Sequence, residues 1–224
     1  MDLKNEKYKN IGIHTLTTIF TIDKGIFKVL LVKRKNEPFR GMWALVGGAM
    51  YNDELLISAA KREIKEKTNL EGIELTHVGV FDEVDRSPIK RMICFCYLAV
   101  IDIEKANILK ETTKTSDARW FTLEEVGKLA YDHKTILEYT TKEMKRLVMT
   151  SNILKQLYPK GFTLPEIQKV YESVLNKKLD RRNFRKKLLS SGLIKDTNKT
   201  QNFIGKKPAK LYTFTNQKQD KILF

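Results

Sequence analysis

Two short stretches of the sequence hold residues whose types and spacing could do chemistry. In the first, GAMYNDELLISAAKREIKEKTNL (Gly48 to Leu70), Glu54, Glu63 and Glu66 supply carboxylates while Arg62 and Lys67 supply cations. Read as a helix over 53–67, the segment places Leu55, Leu56, Ala59, Ala60, Glu63 and Ile64 on a 3.6-residue period. Lys67 then stands four residues after Glu63, the spacing of an intrahelical ion pair. An amphipathic surface helix laced with such pairs is the plainest reading of these charges. In the second stretch, RRNFRKKLLSS, the residues are Arg181, Arg182, Asn183, Arg185, Lys186 and Lys187. Arginine and asparagine at the start of a helix suit bidentate contacts with guanine and adenine in a major groove.

The charge distribution separates the two stretches. The 224 residues carry a net +15, but residues 1–149 hold 25 Lys+Arg against 22 Asp+Glu, whereas residues 150–224 hold 17 against 5. A small, strongly basic unit attached to a near-neutral larger one is the electrostatic footprint of a nucleic-acid binder. No apolar run approaches the roughly 20 residues of a membrane span. The N-terminus MDLKNEKYKN has no apolar stretch of the signal-peptide kind, so a cytoplasmic protein without a membrane partner is expected. The two cysteines, Cys94 and Cys96, sit two apart in an apolar run and share one strand face. That spacing favours buried thiols over a disulfide, and no histidine lies beside them to complete a metal site.

The elements that must position these residues can be read along the chain. Residues 12–22 and 26–34 are rich in β-branched side chains and flank Asp23-Lys24-Gly25, which predicts a hairpin. Residues 36–48 read as a loop with a short strand, 53–67 as a helix, and about 73–84 and 90–103 as two strands. Thr122 and Glu125 have the spacing of a capping box and predict a further helix, followed by a longer one over 132–149. The order β-β-β-α-β-β-α-α predicts an α/β/α sandwich with a mixed sheet over 1–149. From 150 to 224 the reading is a helix-turn-helix with a wing. Thr163, Pro165 and Glu166 open a helix that ends near Leu175 and buries Leu164, Ile167, Val170, Tyr171 and Val174. Asp180 caps the second helix, Gly192 ends it, and Phe184, Leu188 and Leu189 are expected to face the core. Strands at 193–195 and 211–214 bracket a polar, basic hairpin. Its Lys199, Lys206, Lys207 and Lys210 are candidates for contact with DNA backbone phosphates or the minor groove.

The first stretch resembles the Nudix box: Gly48, Glu54, Arg62, Glu63, Ile64, Glu66 and Leu70 all stand at matching positions, and FRGMWALVGG upstream resembles the lead-in to that box. The resemblance implies a Nudix fold and, where the box is intact, Mg²⁺-dependent pyrophosphate hydrolysis. There, glutamates crowded on one helix face supply the hard oxygen ligands and the metal activates water. This sequence departs from the pattern at Val46, where proline is usual, at Lys67, where a second adjacent glutamate is usual, and at Asn69, where glycine is usual. Lys67 removes a ligand and puts a cation at the metal's place. Two unit charges about 4 Å apart repel by roughly 1–4 kcal/mol at effective dielectrics of 80 to 20. The degenerate box (Gly48, Glu54, Arg62, Glu63, Glu66, Lys67) therefore reads as scaffold, with no catalytic and no metal-binding residue assigned. No cofactor is required, and Mg²⁺ is expected only if slow hydrolysis survives. Arg34, Phe39, Arg40 and Trp43 flank the box and are candidates for holding a phosphate and stacking a base or sugar.

The second stretch, Phe162 to Ile194 followed by GKKPAKLYTF, resembles the C-terminal domain of the Nudix-related transcriptional regulators of the NrtR family, and LAYDHKTIL resembles that family's helix after the Nudix domain. The resemblance implies a homodimeric bacterial repressor of double-stranded DNA whose Nudix domain senses a small molecule. In one branch the effector is ADP-ribose and the genes serve NAD biosynthesis; in others sugar-derived signals control sugar use. Two recognition helices about one turn apart imply a palindromic operator. The competing reading is an active Mg²⁺-dependent hydrolase of ADP-ribose-like nucleoside diphosphates.

Overall fold

β-Branched and aliphatic residues fill Gly12–Asp23 (β1) and Ile26–Arg34 (β2), and Lys24 and Gly25 take positive φ (49° and 81°) to turn the chain between them. The computed structural model describes residues 11–203 and 206–224, apart from the side chains of Phe203 and Lys206. The opening ten residues, on which the signal-peptide reading rests, and Gly205 of the wing lie outside the described residues. The chain divides into two compact units. The second comprises Thr141–Phe224 together with Ile22–Phe27 and Val100–Ile103, and the first holds the remaining described residues.

The first unit is built on one sheet. Trp43–Ala44 (β3), Val46–Ala49 (β4), Thr76–Phe81 (β5), Met92–Val100 (β6) and Thr115–Thr122 (β7) join the first two strands. The order is β3-β2-β1-β6-β5, with β4 added to β1 and β7 added to β2. β4 runs antiparallel to β1, pairing Leu16 with Gly47 and Thr15 with Gly48, which fixes the glycine pair against the centre of the sheet. The helices of this unit are Leu56–Thr68 (α1) and the part of His133–Thr150 (α2) up to Thr140. Leu16, Ile19, Phe20, Leu30, Val46, Ala60, Ile64, Leu98 and Ile136 form the core. Fully burying each large aliphatic or aromatic side chain contributes about 1.5–3 kcal/mol. Cys94 and Cys96 are both free and fully buried.

Three local features differ from the sequence reading. β7 pairs antiparallel with β2 from Lys28↔Thr122 to Leu31↔Arg119, a strand absent from the sequence reading. The capping box after it forms, Thr122 N–H donating to Glu125 (2.7 Å) and Glu125 N–H to Thr122 Oγ1 (3.4 Å). It closes a single turn and no helix follows before α2. Gly127 interrupts the segment within one turn of that box, and Ala130 instead donates to the Trp43 carbonyl at 2.9 Å. α1 starts at Leu56 rather than at 53, because Glu54 accepts the Tyr51 N–H (2.8 Å) and holds the preceding residues in a turn. At its far end Asn69 takes a left-handed conformation (φ 64°). Asparagine tolerates that conformation nearly as glycine does, so this departure from the box leaves the helix terminus intact.

The second unit follows from its own capping and periodicity. Leu164–Leu175 (α3) begins with the complete Thr163/Glu166 capping box and buries Leu164, Ile167, Val170, Tyr171 and Val174. Asp180 accepts the Asn183 N–H (2.8 Å) at the start of Arg181–Ser190 (α4), and Gly192 (φ 75°) turns the chain away after it. Phe184 and Leu188, four apart, are fully buried, but Leu189 is 45% exposed. One residue further round a helix is about 100° off the buried face. The wing strands, Ile194–Phe203 (β8) and Lys206–Phe214 (β9), are far longer than the two short strands read from sequence and pair antiparallel.

Candidate functional site

The Nudix-box residues converge on one buried carboxylate. Glu63 is 3% exposed and receives Arg62 Nη1 at 2.6 Å, Lys67 Nζ at 3.1 Å and Lys114 Nζ at 3.4 Å. Arg62 also binds Glu54 (2.6 Å) and the Ala49 carbonyl (2.9 Å), and its guanidinium lies 3.9 Å from the Tyr51 ring centroid. Glu66 pairs with Lys114 and, at 3.5 Å, with Arg62. Lys67 donates to the Gly47 carbonyl and forms an ion pair with Glu63 at 3.1 Å. Gly48 has no room for a side chain, since a Cβ there would fall on the Glu63 carboxylate. Burial pushes the Glu63 carboxyl up, but Lys67, Arg62 and Lys114 outweigh it and hold it below the usual carboxylate range. Burial lowers the Lys67 ammonium from its ordinary value, against the pull of Glu63.

This arrangement does not fit a bound divalent metal. Glu54, Glu63 and Glu66 are already matched by Arg62, Lys67 and Lys114, and the Lys67 ammonium lies on the carboxylate that would be the central ligand. Among the described residues no group of three or more His, Cys, Asp or Glu is placed to hold a metal ion.

Beside the box lies a cavity of about 270 Å³. Its lining includes Arg34, Lys67, Arg86 and Lys90, the glycine pair, and the rings of His14, Tyr131 and His133, and among the described residues no carboxylate lines it. Arg86 is buried and held by both oxygens of Asp132 at 2.9 and 2.8 Å. His133 accepts the Leu45 N–H on Nδ1 (3.1 Å) and stacks on Tyr131 (centroids 5.4 Å apart). Burial, then the charges of Arg86 and Lys67, lower His14 to about 3. Burial, with His14 and Arg86 nearby, takes His133 well below its ordinary value. Both rings are therefore neutral near pH 7, and the cavity's positive charge comes from its lysines and arginines.

The four residues proposed from sequence to hold an effector are placed differently from one another. Arg34 lines the cavity, with its guanidinium 5.0 Å from the Tyr131 ring centroid. Phe39 meets the same ring edge-on at 4.6 Å. Trp43 packs edge-on against Phe121 (4.8 Å), beneath Arg119, and acts through its carbonyl, which anchors the segment carrying Tyr131. Arg40 is 68% exposed, pairs with Glu37 at 3.7 Å, and does not line this cavity. Sequence reasoning missed Lys114, Arg86, Lys90, His14, Asp132 and the pair Tyr131 and His133. Only the LAYDHKTIL resemblance carries a signal for three of these; Arg86 falls between the two strands expected at 73–84 and 90–103.

On the second unit, Arg181, Arg182, Asn183, Arg185, Lys186 and Lys187 are all exposed along α4, while Phe184 and Leu188 are buried. Arg181, Arg182, Arg185 and Lys186 have no carboxylate partner among the described residues, so their charge is available to an anionic partner. Lys187 lies 5.6 Å from the Phe224 ring centroid. On the wing Lys199 and Lys207 are exposed, Lys210 is paired with Asp196 (2.9 Å), and the side chain of Lys206 lies outside the described residues.

Comparison with known proteins adds to this geometry. The NUDIX domain family model matches residues 15–141, and the NrtR DNA-binding winged helix domain matches residues 154–214. The ADPR responsive transcriptional repressor NtrR of Acinetobacter baylyi is 31% identical over 206 residues, 90% of this chain and 81% of that protein. An ADP-ribose pyrophosphatase of Methanocaldococcus jannaschii is 35% identical over 137 residues, 61% of this chain and 78% of its own length. Among solved structures, Shewanella oneidensis NrtR complexed with a 27mer DNA superposes with a TM-score of 0.79 at 26% identity, covering 95% of this chain and 99% of that one. The NUDIX domain of the same Shewanella protein, complexed with ADP ribose, gives 0.57 at 27% identity over 62% of this chain and 92% of that domain. With a Nudix domain, an NrtR winged helix and a repressor relative matched along 90% of this chain, the protein belongs to the NrtR family of Nudix-related transcriptional regulators.

Proposed function

We propose that this protein is a repressor that binds a palindromic operator as a homodimer and is released when ADP-ribose, or a related nucleotide-sugar or sugar phosphate, enters the cavity beside the Nudix box. The observation that carries the reading is the composition of that cavity: four cationic side chains, aromatic rings and, among the described residues, no carboxylate. A phosphate-bearing ligand with a base or sugar finds counter-charge and a stacking face in such a site. The repressor relative is ADPR responsive, and the Shewanella NUDIX domain holds ADP ribose, which supports this effector class. Genes of NAD or sugar metabolism are the expected targets. In this reading the protein needs no cofactor and does not turn its effector over, because the box carboxylates are committed to Arg62, Lys67 and Lys114. Gel shift with upstream regions of its own locus, with and without ADP-ribose, is the test. A salt-sensitive complex that dissociates with ADP-ribose is expected; no complex on any such region would overturn the reading.

Similarity to the Methanocaldococcus pyrophosphatase favours a second reading, a Mg²⁺-dependent hydrolase. It predicts AMP release from ADP-ribose at ordinary enzyme rates, about 1 s⁻¹ or more. Our reading predicts turnover far below that.

A further inference from the structure

We infer that the Lys67 ammonium takes the place of a divalent cation: with Arg34 and Arg86 it forms a counter-charge that binds the diphosphate of the effector without metal. This rests on the cavity being the effector site, as proposed above.

Three carboxylates of the box, Glu54, Glu63 and Glu66, face three cations, Arg62, Lys67 and Lys114, so the cluster is electrically balanced. A glutamate at position 67 would leave four carboxylates against two cations, a surplus of two negative charges, the charge that one divalent ion neutralises. Lys67 removes that surplus and so removes the electrostatic demand for metal. It also supplies charge on the side where a ligand would sit. Its side chain is 15% exposed, is held by the Gly47 carbonyl and Glu63, and lines the cavity. An ammonium has three N–H donors, of which the Gly47 carbonyl takes one, and this leaves donor capacity for a ligand oxygen. Little side-chain freedom is left to lose on binding, since the lysine is already fixed.

Arg34 and Arg86 line the same cavity, and both are fixed by protein partners: Arg34 by the Pro38 carbonyl at 2.9 Å, Arg86 by Asp132. Guanidinium groups held in this way match phosphate oxygens with planar, directed donors. A metal normally bridges adjacent phosphates as a single doubly charged centre. Here three organic cations line one cavity, and all three persist in the presence of a chelator.

The test is calorimetric titration of the full chain with ADP-ribose and, separately, with inorganic pyrophosphate, each in EDTA and in Mg²⁺. For the wild type, affinity in EDTA should lie within about twofold of that in Mg²⁺. Lys67→Met should weaken binding about 10- to 100-fold, the range for loss of one charged hydrogen bond. Lys67→Glu should bind only weakly in EDTA and recover with Mg²⁺, because the charge surplus returns. If wild-type binding of ADP-ribose requires Mg²⁺, the inference is overturned while the effector reading stands. If pyrophosphate binds in EDTA in a Lys67-dependent way and ADP-ribose does not, the inference stands and the effector reading fails. If neither ligand binds in EDTA, the inference fails. The wild-type comparison needs no variant, so misfolding of a mutant cannot decide the outcome.

Discussion

Glu63→Gln is the perturbation that most directly tests how the degenerate box is held together. The carboxylate is 3% exposed and lies between 2.6 and 3.4 Å from three cationic groups. At an effective dielectric of about 20, a single ion pair at such a distance is worth about 5 kcal/mol before desolvation is subtracted. Removing one partner of a buried pair costs about 3–5 kcal/mol, because the opposite charge is left buried without compensation. Glutamine keeps the volume and leaves three cations against the two carboxylates of Glu54 and Glu66, so we expect a loss in that range. For a unit of this size, it corresponds to a fall in Tm of about 10–20 °C. The pH dependence gives an independent reading of the same interaction. Glu63 titrates below its ordinary 4.5 in the folded protein, so its contribution is complete above that pH and is lost as pH falls through the lower, folded value. The gap between wild type and variant in urea unfolding should therefore be widest near pH 7 and close in acid. Lys67→Met leaves Glu63 with two cations and should cost less, about 1.5–3 kcal/mol, the scale of one charge-assisted hydrogen bond. In the double variant the two losses should be less than additive by about 1 kcal/mol or more. A Glu63→Gln protein within about 1 kcal/mol of wild type at neutral pH, on the scale of an exposed pair, would refute the account of this cluster as a closed ion network.

The buried histidines make a second pH prediction of the same sign. His14 falls to about 3 and His133 lies well below its ordinary value, so between pH 6.5 and these folded values the unfolded chain binds protons that the folded chain refuses. Stability should drop by about 2 kcal/mol per histidine between pH 7 and pH 5, and His14→Gln should flatten part of the slope in denaturant titrations. On the recognition helix, Arg181→Ala or Arg185→Ala should cost about 1–3 kcal/mol of operator affinity where the arginine reads a base. Lys207→Ala should instead reduce the slope of log K against log salt by about 1, measured by fluorescence anisotropy; equal salt slopes would exclude a phosphate contact. Thr163→Ala removes one half of a complete capping box and should destabilise the second unit by about 1 kcal/mol in thermal melts.

The parts of this protein that the sequence determined by itself are those governed by neighbours within a turn or two. The five buried positions of α3, its capping box, the Asp180 cap and the Lys67–Glu63 pair all involve residues three or four apart, and a helix brings such residues together whatever surrounds it. Fixed spacing at Gly48, Glu54, Arg62, Glu63, Glu66 and Leu70 carried the Nudix fold for the same reason. Local rules failed where tertiary partners compete. The Thr122 capping box closed a turn without nucleating a helix, and Leu189 was left on the open side of α4. They were also silent on β7 and on the length of the wing strands, because strand pairing depends on a partner elsewhere in the chain.

Only the tertiary structure decided what Lys67 does. From sequence it was a lesion in a metal site, paired along its own helix. Folding brings Lys114 onto Glu63 and Glu66 from 48 or more residues away, which completes the charge balance. It carries Arg86 and His14 into the cavity across 72 residues of chain and pins Arg86 to Asp132 across 46. Electrostatic energy depends on separation and local dielectric, neither of which a linear spacing contains once the partners lie on different elements. The residue types announced an altered phosphate chemistry, and the packing of β4, α1 and the segment before α2 turned it into a cavity with a fixed positive charge.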